Sequence, residues 1–80
     1  MNREEIFVRI NKIFRNEFDE DSLIIGEETT AADVEGWDSL MHISLIEAIE
    51  DEFNMRFSML EVNGMKNVGE MVSIIEGRIK

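Results

Sequence analysis

Apolar residues in this chain recur at intervals of three and four, and nowhere alternate with polar ones over a useful length. That spacing is the signature of helices with one buried face, and it rules out a sheet protein before anything else is considered. Ile6, Ile10, Ile13 and Phe14 make one such stripe, widened by Phe7, and predict a first helix over 3 to about 17. Glu4 and Glu5 near its start and Arg15 near its end suit the helix dipole. His42, Leu45, Ile46, Ile49 and Phe53 make a second core face, on a helix from about 39 to 53. Ser58 and Glu61 have the spacing of a capping box and open a short third helix, roughly 58 to 63, that Gly64 ends. Asn67 and Glu70 repeat the cap pattern ahead of Val68, Met71, Val72, Ile75 and Ile79, a fourth helix over about 67 to 79. Gly69 weakens its first turn by about 1 kcal/mol relative to alanine, and suggests close approach of another helix.

The expected fold is therefore all-α. It is a small four-helix bundle of three longer helices and one short one, in a single domain over 1–80. A chain of this size buries only roughly 60% of its unfolded surface, too little for a catalytic cleft with several buried groups.

Residues 18 to 38 are the exception to the helical pattern. Asp19-Glu20-Asp21-Ser22, Gly26, Thr29-Thr30 and Gly36 are turn signals. Twenty residues without regular structure need pinning, and Leu23, Ile24, Ile25, Val34 and Trp37 are the available apolar anchors. A short helical turn after Thr29 or Thr30, backed by Asp33, is expected inside it. The acids at 19–21 do not form a calcium loop, because the positions for a fifth-place oxygen ligand and the following glycine hold Leu23 and Ile24.

Eighteen acidic residues oppose eight basic ones, for a formal charge of −10. Thirteen of those acids fall between Arg15 and Arg56, with no Lys or Arg among them. Nucleic acid and anionic membranes are disfavoured as partners, since both attract positive charge. A basic protein surface is favoured. There is no cysteine, so any thiol chemistry must be attached afterwards. The charged N-terminus lacks the apolar core of a signal peptide, and no apolar run approaches the ~20 residues of a membrane span. A cytoplasmic, monomeric protein is expected.

The loop ends at Gly36-Trp37-Asp38-Ser39-Leu40, and the most hydrophobic helix begins there. Asp38 and Ser39 are both good N-caps, and either could start the helix. A helix start also favours a phosphate, through free N–H groups and the dipole. Leu40, Ile43, Ser44, Glu47 and Asp51 lie together on a face distinct from the core face, mixing apolar groups with acids beside Ser39. Glu50 lies almost directly above Ser39 on the helix. His42 is the only histidine. A Ser39–His42 hydrolytic pair would need a third group to orient the imidazole, and none is evident. The sequence also contains no metal cluster and no Walker-type phosphate loop.

The run from Asp33 to Ile43, with Leu45-Ile46-Glu47-Ala48-Ile49-Glu50-Asp51-Glu52-Phe53 after it, resembles the prosthetic-group region of an acyl carrier protein. The likeness extends to length, acidity and helix order. It implies 4′-phosphopantetheine on Ser39, installed from coenzyme A by a phosphopantetheinyl transferase that Asp38 helps to engage. It implies a carrier that is not itself an enzyme. Its partners would be acyl-loading and acyl-processing enzymes with basic docking patches. It also implies that some of Met55, Phe57, Met59, Leu60, Met65 and Met71 line an expandable acyl groove. Two departures from the fatty-acid carriers it resembles stand out: their docking helix is acidic where Met41 and Ser44 stand and apolar where Glu47 stands, and their attachment motif follows a small glycine-rich turn without the tryptophan of Gly36-Trp37. The Asp33-Val34-Glu35-Gly36-Trp37-Asp38-Ser39-Leu40 form resembles carriers dedicated to specialised pathways, with polyketide, lipid-modification, polysaccharide and aminoacyl pathways all open. The competing reading is a non-carrier acidic interaction module in which Ser39 only caps a helix.

Overall fold

The computed structural model describes residues 1–79. Helix α1 spans Arg3–Glu17, α2 Ser39–Phe53, α3 Met59–Gly64 and α4 Val68–Arg78, with a 3-10 turn at Ala31–Asp33 inside the long loop. Among the described residues there is no strand. The first two helices have the expected bounds. The last two are shorter or shifted by a residue because Ser58 and Asn67 stand outside as caps, their side chains accepting from Glu61 and Glu70 N–H groups. The cap of α1 is Asn2, in a reciprocal capping box with Glu5. In the 3-10 turn the Asp33 carboxylate accepts from the Thr30 N–H at 2.9 Å, the support expected from the sequence. Asn54 ends α2 in the left-handed conformation, at φ 51 and ψ 54, which asparagine tolerates better than most residues.

The core is built from the three apolar stripes. Ile6, Ile10 and Phe14 of α1 meet Leu45, Ile46, Ile49 and Phe53 of α2, and Val68, Met71, Val72 and Ile75 of α4. Helix α1 packs against both α2 and α4. The loop adds Ile25 and Val34. Helix α3 buries none of its residues. Ile24, expected among the loop anchors, is instead exposed.

The loop is held by side chains that the apolar pattern does not reveal. Asn11 pairs with the backbone of Ile25 in both directions: its Oδ1 accepts from Ile25 N–H at 2.7 Å, and its Nδ2 donates to Ile25 O at 3.2 Å. Arg15 donates to Leu23 O at 2.7 Å. Arg3 grips Glu27 with two bonds of 2.7 Å, donates to Gly69 O at 3.0 Å, and pairs with Glu76. Gly69 permits close approach, but of the loop and not of another helix. Its N–H donates to Glu27 O at 2.8 Å, and an added Cβ would lie 2.6 Å from that oxygen.

Candidate functional site

The turn into α2 is fixed from below. Val34 is buried, Trp37 N–H donates back to its carbonyl at 3.2 Å, and Gly36 adopts φ 87, a conformation that favours glycine. The Trp37 indole rests edge-on against Phe14, centroids 5.2 Å apart, and beside Phe18 at 6.2 Å. Its Nε1–H donates to His42 Nδ1 at 3.1 Å. Trp37 therefore anchors the end of the loop, as its size suggested.

That bond settles the state of His42. An indole N–H can only donate, so Nδ1 accepts and the proton sits on Nε2. Nε2–H in turn donates to Val62 O, 3.1 Å away in α3. The imidazole is half-buried, and with both nitrogens engaged by Trp37 and Val62 neither is left to serve the Ser39 hydroxyl as a base. A Ser-His dyad does not form. The ring instead ties the loop and α2 to α3.

Asp38, not Ser39, is the N-cap. Its backbone is extended, and its carboxylate accepts from Met41 N–H at 2.9 Å. Ser39 is the first helical residue and is exposed. Its hydroxyl is thus spared capping duty while standing at the positive end of a 15-residue helix, among N–H groups without helical partners. It opens on a groove of about 470 Å³, lined in part by His42, Ile43, Val62, Met65 and Met71. A free hydroxyl, a helix start suited to a phosphate and an adjoining mixed groove are what a covalent phosphodiester with a long arm requires. The residues present fit that group.

Of the apolar residues expected to line a groove, Met65 and Met71 do. Met55 and Phe57 pack against the core, and Met59 and Leu60 of α3 are exposed. On α2, Leu40 and Ile43 are 80% and 56% exposed, and Ser44, Glu47 and Asp51 are exposed beside them. The Ser44 hydroxyl donates to Glu17 at 2.7 Å, which also braces α2 against the end of α1. Glu50 belongs elsewhere: it turns into the following connection, accepting from Phe57 N–H at 2.8 Å and pairing with Arg56. The described residues include no group of potential metal ligands, and no described helix is long and apolar enough to cross a membrane.

Sequence reading missed Asn11 and Arg3 as loop clamps and the link from His42 to Val62. The first two carry no apolar or turn signal, and the third depends on where α3 lies. The fold is that of a small helical carrier domain, with an exposed serine at the start of α2. The profile of the phosphopantetheine attachment site family matches residues 8–75. Two acyl carrier proteins are similar. The one from Saccharopolyspora erythraea is 32% identical over 92% of this chain and 78% of its own length. The one from Thermotoga maritima is 31% identical over 96% of this chain and 95% of its own. The solution structure of the holo acyl carrier protein from Geobacter metallireducens superposes with a TM-score of 0.85 at 34% identity, covering 91% of this chain and 84% of that one. The chain belongs to the acyl carrier protein family, whose members hold 4′-phosphopantetheine covalently on a serine and are carriers, not enzymes.

Proposed function

We propose that Ser39 bears the 4′-phosphopantetheine, and that the protein moves acyl groups as thioesters between partner enzymes of fatty-acid, polyketide or related specialised biosynthesis. The observation that carries this reading is the division of labour at the start of α2. Asp38 caps the helix, leaving the Ser39 hydroxyl exposed beside a groove. The attached group supplies the thiol that a chain without cysteine lacks. Tethering raises the local concentration of the cargo at each partner's active site.

This chain's own residues contribute position and charge. The helix start and its N–H groups stabilise the phosphate oxygens. Asp38 holds the first turn in shape, and its exposed carboxylate is available to a transferase. Leu40, Ile43, Ser44, Glu47 and Asp51 form the docking face for that transferase and for acyl-loading and acyl-processing enzymes with basic patches. Acid at its rim speeds encounter, and apolar groups at its centre slow departure. The protein acts as a cytoplasmic monomer of one carrier domain.

Incubation with a phosphopantetheinyl transferase, coenzyme A and Mg²⁺ tests the reading by mass spectrometry. The wild-type chain should gain one phosphopantetheine and Ser39→Ala none. Modification of the alanine variant would remove Ser39 from the role.

A further inference from the structure

Helix α3 is a wall with a narrow apolar foundation: only Val62 and the adjoining Met65, both half-buried, pack against the core. It fully buries none of its residues, and polar contacts add to that packing. Glu61 pairs with Arg78, which also donates to Arg56 O at 2.7 Å. The connection before it is fixed by the bond from Phe57 N–H to Glu50. The third tie is the bond from His42 Nε2–H to Val62 O, and both of its residues line the groove beside Ser39. The imidazole cannot swing away freely, because Trp37 holds its other nitrogen and is itself seated on Phe14 and Phe18.

Beneath this clasp lies Met71, only 1% exposed, so the floor of the groove is the surface of the core. A cargo passing under α3 must part α2 from α3. That breaks the bond to Val62 O and leaves a donor and an acceptor unpaired against apolar surface, which is unfavourable. The rim of the groove, by contrast, is polar. Thr30, Asn63, Lys66 and Asn67 contribute to its lining.

We infer that His42 sets the depth to which cargo tethered at Ser39 enters the domain, holding it in the open groove and selecting short acyl groups with polar substituents over long alkyl chains. The inference rests on the carrier reading above. His42 is a positioning residue here: it acts by holding α3.

The test reads thermal stability across a series of cargoes from acetyl to decanoyl, loaded on the phosphopantetheine of the wild type, His42→Leu and His42→Gln. A cargo that buries alkyl surface in the folded state alone raises the melting temperature as it lengthens. The wild type should give a flat profile and His42→Leu a rising one. His42→Gln, which can still donate to Val62 O, should stay close to the wild type. A second arm needs no transferase. Ser39→Cys provides the only thiol in the chain, and alkyl methanethiosulfonates of graded length are attached there, with and without His42→Leu. If mass spectrometry shows no phosphopantetheine on the wild type, the carrier reading fails, while the cysteine arm still decides the role of His42. A wild-type melting temperature that climbs with chain length in either arm overturns the inference, whether or not the leucine variant folds.

Discussion

Asp38→Ala should destabilise the domain, while Ser39→Ala, one residue away, should not. The Asp38 carboxylate accepts from Met41 N–H at 2.9 Å, the bond that caps α2. Losing an N-cap costs about 1 kcal/mol, and losing a carboxylate at the positive end of a helix costs about 0.3–1 more. Because Asp38 is exposed, the sum belongs at about 1–2 kcal/mol. Against a total stability of roughly 4–12 kcal/mol for a chain of this length, that is a large share. It corresponds to a fall in melting temperature of about 4–16 °C. Asp38→Asn retains an acceptor of similar capping strength and should lose only the charge contribution, under about 1 kcal/mol. Ser39 makes no capping bond, and alanine is the better helix former by a few tenths of a kcal/mol, so Ser39→Ala should melt at or slightly above the wild type. Urea and thermal unfolding followed by circular dichroism give all four values. A loss above about 1 kcal/mol for Ser39→Ala, or none for Asp38→Ala, would refute the division of labour between these neighbours.

Gly69→Ala should destabilise by about 1–3 kcal/mol despite alanine's helix propensity, because the new Cβ would drive Glu27 O away and leave polar groups unpaired; an unchanged urea midpoint would contradict this. Glu27 and Glu61 are held below the ordinary carboxyl value of 4.5, chiefly by hydrogen bonds from Arg3 and Arg78. Their contribution is complete above that value and is lost as pH falls through their lower folded values, so stability should drop in this acid range, and Arg3→Gln should blunt the drop in an acid titration. Glu47→Lys and Asp51→Lys should slow association with the transferase, an effect partly reproduced by salt, whereas Ile43→Ala should speed dissociation; unchanged stopped-flow rates for both charge reversals would move the docking face elsewhere. Trp37 fluorescence should resist acrylamide, and quenching as strong as that of free indole would contradict its seat on Phe14 and Phe18.

The helices were legible because burial imposes a period on sequence. The stripe through Ile6, Ile10 and Phe14 and the run from Leu45 to Phe53 could serve no other regular structure. Capping at Ser58 and Asn67 was legible for a similar reason, since a local bond needs only local spacing. Asp38 and Ser39 could not be ranked in advance. Both are good caps, and the choice depends on the extended backbone at Asp38, which the loop dictates. The loop clamps were illegible. Asn11 and Ile25 are remote in sequence, as are Arg3 and Glu27, and nothing in their neighbours marks them as partners. Gly69 shows the same limit in a milder form. The glycine announced a close approach, and only the path of the loop reveals what approaches.

The shallow hold on α3 has a consequence in time. Segments that bury little apolar surface and rest partly on exposed polar contacts open at a free energy well below that of global unfolding. Amides of α3 should therefore exchange with deuterium long before those beneath Ile10, Leu45 and Val72, and their exchange should quicken with salt as the pair between Glu61 and Arg78 is screened. One small domain would then run two clocks: a slow frame of α1, α2 and α4 that keeps the turn at Ser39 in shape, and a fast wall that opens and shuts many times during the life of that frame.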